Sequence, residues 1–125
     1  MDPLSEADTN AVIAIVMDLA RAGSTDELLE FLDHGLDVDA RDADGNTALM
    51  LAAYHGHGPA VAALIERGAD ADLRNNRDQS PIAGALFKGE DEIVAALRAA
   101  GADLDAGTPS ARATAELFGR AHLLS

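Results

Sequence analysis

Apolar residues along this chain fall into short blocks at helical spacing, each closed by a glycine, with polar acidic stretches between them. In TALMLAAYH, Thr47 stands ahead of the apolar run as an N-cap, and Gly56 follows as a left-handed stop. In PAVAALIERG, Pro59 takes the first turn, Val61, Leu64 and Ile65 share one stripe, and Gly68 ends the run. The blocks SPIAGALFKG and EDEIVAALRAAG repeat the form, with Ser80 as the cap and Pro81 in the first turn. The predicted unit is helix, glycine turn, helix, glycine stop, then an Asp-rich connector.

The unit has a fixed period. HGLDVDARD from His34 returns as RGADADLRN from Arg67 and as AGADLDAG from Ala100. Gly35, Gly68 and Gly101 are 33 residues apart, as are Gly23, Gly56 and Gly89. Asp37, Asp70 and Asp103 keep that spacing, and so do Asp39, Asp72 and Asp105. The apolar series Leu28, Val61, Val94 follows it, whereas Leu32, Ile65, Arg98 breaks at its last member. Concurrent series at one period mark a stacked repeat architecture.

This pattern resembles the ankyrin repeat family. The 33-residue period, TALMLAA in place of the commoner T-P-L-H-x-A-A, Gly56-His57 after the first helix and Gly68-Ala69-Asp70 after the second carry the resemblance. It implies an all-α solenoid of stacked helix-turn-helix units joined by short β-hairpin loops. The units expected are an N-terminal capping repeat over 9–41, repeats over 42–74 and 75–107, and a partial C-terminal cap over 108–125. The third unit carries Asp78 in the usual hairpin glycine place, which predicts a less regular hairpin. For the C-terminal cap, TPSARATAELFG predicts a helix capped by Thr108, with Pro109 next and an apolar stripe of Ala113, Leu117 and Phe118. Thr108 follows Ser80 by only 28 residues, so the last connector reads as about five residues short.

Composition narrows the class. At 125 residues the chain makes one domain, and about four stacked units suffice. Hydrophobic residues make up 48% but aromatic ones only 3%, a mix suited to thin helix pairs lying close together. Cysteine is absent, excluding disulfides. The acidic start MDPLSEADTN is no secretory signal, and AVIAIVMDLA is too short to cross a bilayer. A cytoplasmic, monomeric protein is expected, and the high alanine content fits a bacterial origin. The net charge of −13 disfavours nucleic acid and anionic membranes as partners, and steers a basic protein toward the surface.

Two chemical readings compete with the repeat and lose. Tyr54, His55 and His57 suggest a metal site, but zinc needs three or four tetrahedral ligands and there is no cysteine to supply them. DVDARDADGN suggests calcium, yet setting Gly45 as the sixth loop residue leaves Ala40 first and Leu51 twelfth, where ligands are required. A tight turn using Gly45 explains it instead. No phosphate loop or nucleophile elbow is present, and Ser24, Ser80 and Ser110 sit where helices begin. Neither an enzyme nor a cofactor is expected. Ankyrin resemblance assigns His57 to hydrogen-bonding the turn backbone.

The same resemblance implies protein binding by the hairpin tips and the inner face of each first helix. Carried over by position, the partner-binding candidates are Asp44, Asn46, Tyr54 and His55 of the second unit, and Asn76, Arg77, Gln79, Phe87 and Lys88 of the third. Arg21 is the first unit's counterpart, and Arg67 flanks the groove from the end of a second helix. Tyr54 and Phe87, one period apart, should adjoin as an aromatic centre of the kind enriched in interface hot spots. The rival reading is a structural protein that stacks with itself, favoured by the apolar circumference of NAVIAIVMDLARA.

Overall fold

The computed structural model describes residues 6–124, with side chains from Asp8 onward. The chain forms α1 (Glu6–Ala22), α2 (Thr25–Asp33), α3 (Ala48–Tyr54), α4 (Gly58–Glu66), α5 (Pro81–Lys88), α6 (Asp91–Ala99), α7 (Ala111–Leu117) and a final 3-10 turn (Ala121–Leu124). Hydroxyls set three of the starts: Thr47, Ser80 and Ser110 accept from the N–H groups of Met50, Ala83 and Ala113, filling donors that a first turn leaves unpaired. Ser24 precedes α2 without such a bond.

The elements stack in two layers. Helices α1, α3, α5 and α7 lie side by side, and α2, α4, α6 and the 3-10 turn form the second layer behind them. Six of the seven α3 residues are buried, and three of those are alanines. Small side chains let neighbouring helices come close on both sides. The fully buried positions between layers are aliphatic: Met17, Leu28, Leu49, Val61, Leu64, Ile82, Leu86, Val94 and Leu97. Each full burial contributes roughly 1.5–3 kcal/mol. The periodic series Leu28, Val61, Val94 is thus the floor of three successive units. Its broken companion ends in Arg98, which is exposed and reaches the carbonyl of Leu123 at 3.5 Å, tying down the last turn.

The connectors explain the recurring aspartates. Asp37, Asp70 and Asp103 each accept the N–H two residues on, at 2.9 Å, making a local turn. Asp39 and Asp72 look forward instead, accepting the N–H of Asp70 at 2.9 Å and of Asp103 at 2.7 Å. One aspartate shapes its own connector while the other holds the next. The turns between paired helices are linked in the same direction. His57 Nε2 lies 2.7 Å from the carbonyl of Arg21, so its ring bonds the preceding unit and not its own turn. A Cβ at Gly23 would stand 2.5 Å from His57 Nδ1, and one at Gly56 would stand 2.8 Å from Glu90 Oε1. Glycine is needed there for two reasons, positive φ and the side chain laid over it.

Hairpin tips carry two corrections. Asp42 N–H donates to Asn46 O at 3.1 Å, and Asn75 N–H donates to Gln79 O at 3.1 Å, so the third unit's tip is as regular as the second's. Asp78 adopts φ 59°, a conformation that short polar side chains tolerate. Arg74 and the Thr108 hydroxyl hold its carboxylate at 2.9 and 2.8 Å. Each tip closes with one such bond, and no strand forms among the described residues. The second correction concerns the C-terminal cap. Ser110, not Thr108, caps α7, so the connector is three residues short relative to Ser80, not five. Thr108 is occupied with Asp78, through both its N–H and its hydroxyl. Ala111, Thr114 and Ala115 are the buried face of α7, whereas the expected stripe of Ala113, Leu117 and Phe118 points outward.

Candidate functional site

The first-layer helices and the hairpin tips enclose a groove of about 690 Å³. Its floor follows from a change in side-chain size along the repeat. Met50 and Leu51 of α3 are succeeded one period later by Ala83 and Gly84 of α5, so the surface drops between α3 and the Thr114 side of α7. Gly84 is helical and needs no special φ, and a Cβ there would meet only Tyr54 Cδ2, at 3.6 Å. Its effect is to widen the hollow.

Aromatic rings run along one side. Tyr54 and Phe87 stack at 6.4 Å with planes 6° apart, and Phe118 meets Phe87 edge-on at 5.3 Å. These are the offset and edge geometries aromatic pairs prefer. Exposure is 39% for Tyr54, 50% for Phe87, 43% for Phe118 and 75% for neighbouring Leu117. Lys88 Nζ lies 5.2 Å from the Tyr54 ring and the Arg120 guanidinium 5.5 Å from that of Phe118. Arg120 also donates to the carbonyls of Leu86 and Phe87 in the last turn of α5. His55 stands edge-on to Tyr54 at 5.3 Å. Burial lowers its pKa below the ordinary imidazole value, and the nearby charges of Arg21, His57 and Lys88 lower it further.

Most of the sequence candidates converge here. Asp44, Asn46, Tyr54, His55, Asn76, Arg77, Gln79 and Phe87 line the groove. Lys88 stands over the Tyr54 ring. Some of these side chains already serve the fold: Asn75 Nδ2 donates to both Asn46 Oδ1 and Gln79 Oε1, and Asn76 donates to the carbonyl of Ala43. Arg67 falls elsewhere. It caps α4 in the second layer and pairs with Asp33 at 2.6 Å, because a residue at that helix end points across to α2 and away from the first layer. Arg21 is paired with Asp18 at 2.9 Å and acts on the groove only through its charge near His55. Sequence reasoning missed Leu117 and Phe118, assigned to a packed stripe, and also Met50, Ala83 and Gly84 of the floor. The change from Met50-Leu51 to Ala83-Gly84 was the available signal. Among the described residues, no group of three or more acidic, His or Cys side chains is placed to hold a metal.

Paired helices in constant register, cross-linked by recurring aspartates and bearing a groove of non-recurring side chains, define a repeat solenoid. The description "Ankyrin repeats (3 copies)" matches residues 16–108, and the chain belongs to the ankyrin repeat family. It is 37% identical over 59 residues to a Pseudomonas aeruginosa protein named for its ankyrin repeats, covering 47% of this chain and 34% of that one. It is also 35% identical over 60 residues to the Arabidopsis thaliana acyl-CoA-binding domain-containing protein 1, covering 48% of this chain and 18% of that one. The chain therefore spans about a third of the first relative's length and 18% of the second's. Ankyrin repeats are in general protein-interaction modules and typically non-catalytic. No described helix is long and apolar enough to cross a membrane.

Proposed function

We propose that this chain is a non-catalytic module that docks a protein partner in the groove formed by its first-layer helices and hairpin tips. The observation that carries the reading is the use of aromatic residues. The chain has one tyrosine, three phenylalanines and no tryptophan, and three of these four rings stand exposed along the groove, with only Phe31 packed against the core. Rigid aromatic side chains give large contact area at low entropy cost, which suits them to interface centres. Tyr54, Phe87 and Phe118 would supply apolar contact, and Asp44, Asn46, Arg77, Gln79 and Lys88 would set its polarity. His57, Ser80 and Ser110 are engaged in the fold, the first with the Arg21 carbonyl and the two serines with helix starts. The test is capture of partners from the native cell by wild-type chain and by a Tyr54→Ala, Phe87→Ala double variant. Partners lost from the variant support the reading, and a variant that retains all of them ends it.

Self-association is the second reading. Ile15 on α1 is 49% exposed and Leu117 is exposed at the far end of the stack, so an apolar residue stands at each end. Contact between unlike ends gives open filaments. Sedimentation over rising concentration decides it, since a mass that stays at one chain removes this reading.

A further inference from the structure

The chemistry of the groove narrows its occupant. The molecule as a whole is strongly acidic, with 22 acidic against nine basic residues. Around the groove that excess disappears: among the described residues its lining carries one aspartate, Asp44, and one arginine, Arg77, with Lys88 and Arg120 beside the rings. Four arginines elsewhere are neutralised by aspartates: Arg21, Arg67, Arg74 and Arg112 pair with Asp18, Asp33, Asp78 and Asp105. Among the described residues, Arg77 and Lys88 have no such partner. The Arg77 side chain lines the groove without a hydrogen bond or ion pair among the described residues. Lys88 Nζ stands over the face of Tyr54 and forms no ion pair among the described residues. Arg120, although bonded to two carbonyls, leaves its charge beside Phe118. An acidic chain has carboxylates to spare, yet these cations are left unmatched beside the exposed rings.

We infer that the groove takes an acidic segment of a partner protein, laying an aromatic or long aliphatic side chain against Tyr54, Phe87 and Phe118 while its carboxylates meet Arg77 and Lys88. This rests on the docking reading above and adds the chemistry of the occupant. A basic segment, which the net charge alone favours, would face unmatched cations at the point of contact. Charges on the far layer count for little there, because at physiological salt the screening length is about 8 Å. Long-range repulsion would slow the approach of an acidic partner, whereas complementary charge at contact would hold it. The depressed pKa of His55, to which Arg21, His57 and Lys88 contribute after burial, reports the same local positive potential.

The experiment is selection of random dodecapeptides displayed on phage against the immobilised full chain, followed by fluorescence-polarisation affinities of the enriched peptides. Enriched peptides should place Asp or Glu beside Phe, Trp or Leu. They should bind Arg77→Glu, Lys88→Glu at least about tenfold more weakly, with Arg41→Glu, which is not among the groove-lining residues, as the charge control. Circular dichroism confirms that each variant is folded. Basic or uncharged peptides that still lose binding with Tyr54→Ala, Phe87→Ala would overturn the acidic preference and leave the docking reading standing. Peptides indifferent to both double variants, or no enrichment at all, would overturn both.

Discussion

Asp39 and Asp72 do the same thing one unit apart, each accepting the N–H of an aspartate in the next connector. Across the groove, positions one period apart differ: Asp44 is followed by Arg77, Met50 by Ala83, Leu51 by Gly84 and His55 by Lys88. The seams are therefore repetitive and the groove is not. A connector aspartate makes a bond whose partner lies in the next unit, so the same geometry calls for the same residue. Over the turn glycines the recurring element is the glycine, and the side chain above it changes from His57 to Glu90. A groove position borders solvent, and the stack does not dictate its identity. The difference separates residues that hold the solenoid together from those that give it a particular surface.

The largest effect is expected at a seam glycine. Gly23→Ala forces a Cβ into a left-handed residue and against the His57 ring, and should cost about 2–3 kcal/mol in urea unfolding. A loss under about 1 kcal/mol would mean the turn yields and the seam is not a constraint. Asp72→Ala leaves the Asp103 N–H without its acceptor, an expected loss of about 1 kcal/mol by the same assay, with Asp72→Asn closer to wild type. The groove should respond with the opposite sign. Gly84→Ala places a methyl group in ordinary contact with Tyr54 and removes a helix-interior glycine, so it should stabilise the chain by about 0.5–1 kcal/mol while narrowing the hollow. A destabilised Gly84→Ala would show that the glycine is needed for packing, and the distinction between seam and groove would fail at that position.

The smallest effect is electrostatic. His55 titrates below the ordinary imidazole range in the folded chain, so the unfolded chain takes up its proton first as the pH falls. Its contribution to stability is therefore fully present above the unfolded imidazole pKa of about 6.5 and is lost as the pH falls from that value through the lower folded one. Lys88→Glu should raise the His55 pKa, read from imidazole proton shifts in NMR titration, because it replaces a repelling charge with an attracting one. An unchanged value would remove Lys88 from the field of the groove.

The repeat, its helices and two of its three hydroxyl caps are legible in the sequence because they depend on local rules: apolar spacing, a hydroxyl before a helix, a glycine after it. Tyr54 and Phe87 are legible as neighbours because the period superposes them. What the sequence hides depends on the stack. Asp39 reaches a residue 31 positions away, an offset that corresponds to no helical or period spacing. Thr108 has the composition of a cap, but its hydroxyl is drawn off by Asp78, and only the neighbouring tip reveals that. Asp78 looked like a misfit because its two partners, Arg74 and Thr108, become visible only once the tips are side by side. Leu117 and Phe118 read as core because an apolar stripe is ordinarily buried. In α7 the shorter connector turns that stripe outward, so that Phe118 extends the line of rings begun two units earlier.

The central claim is that the exposed rings are the docking surface. Calorimetric titration of a captured partner into wild-type chain, Phe87→Ala and a second-layer control, Glu66→Ala, tests it directly. Phe87→Ala should bind at least about tenfold more weakly than wild type, with Glu66→Ala unchanged. Equal affinities for all three chains would contradict it.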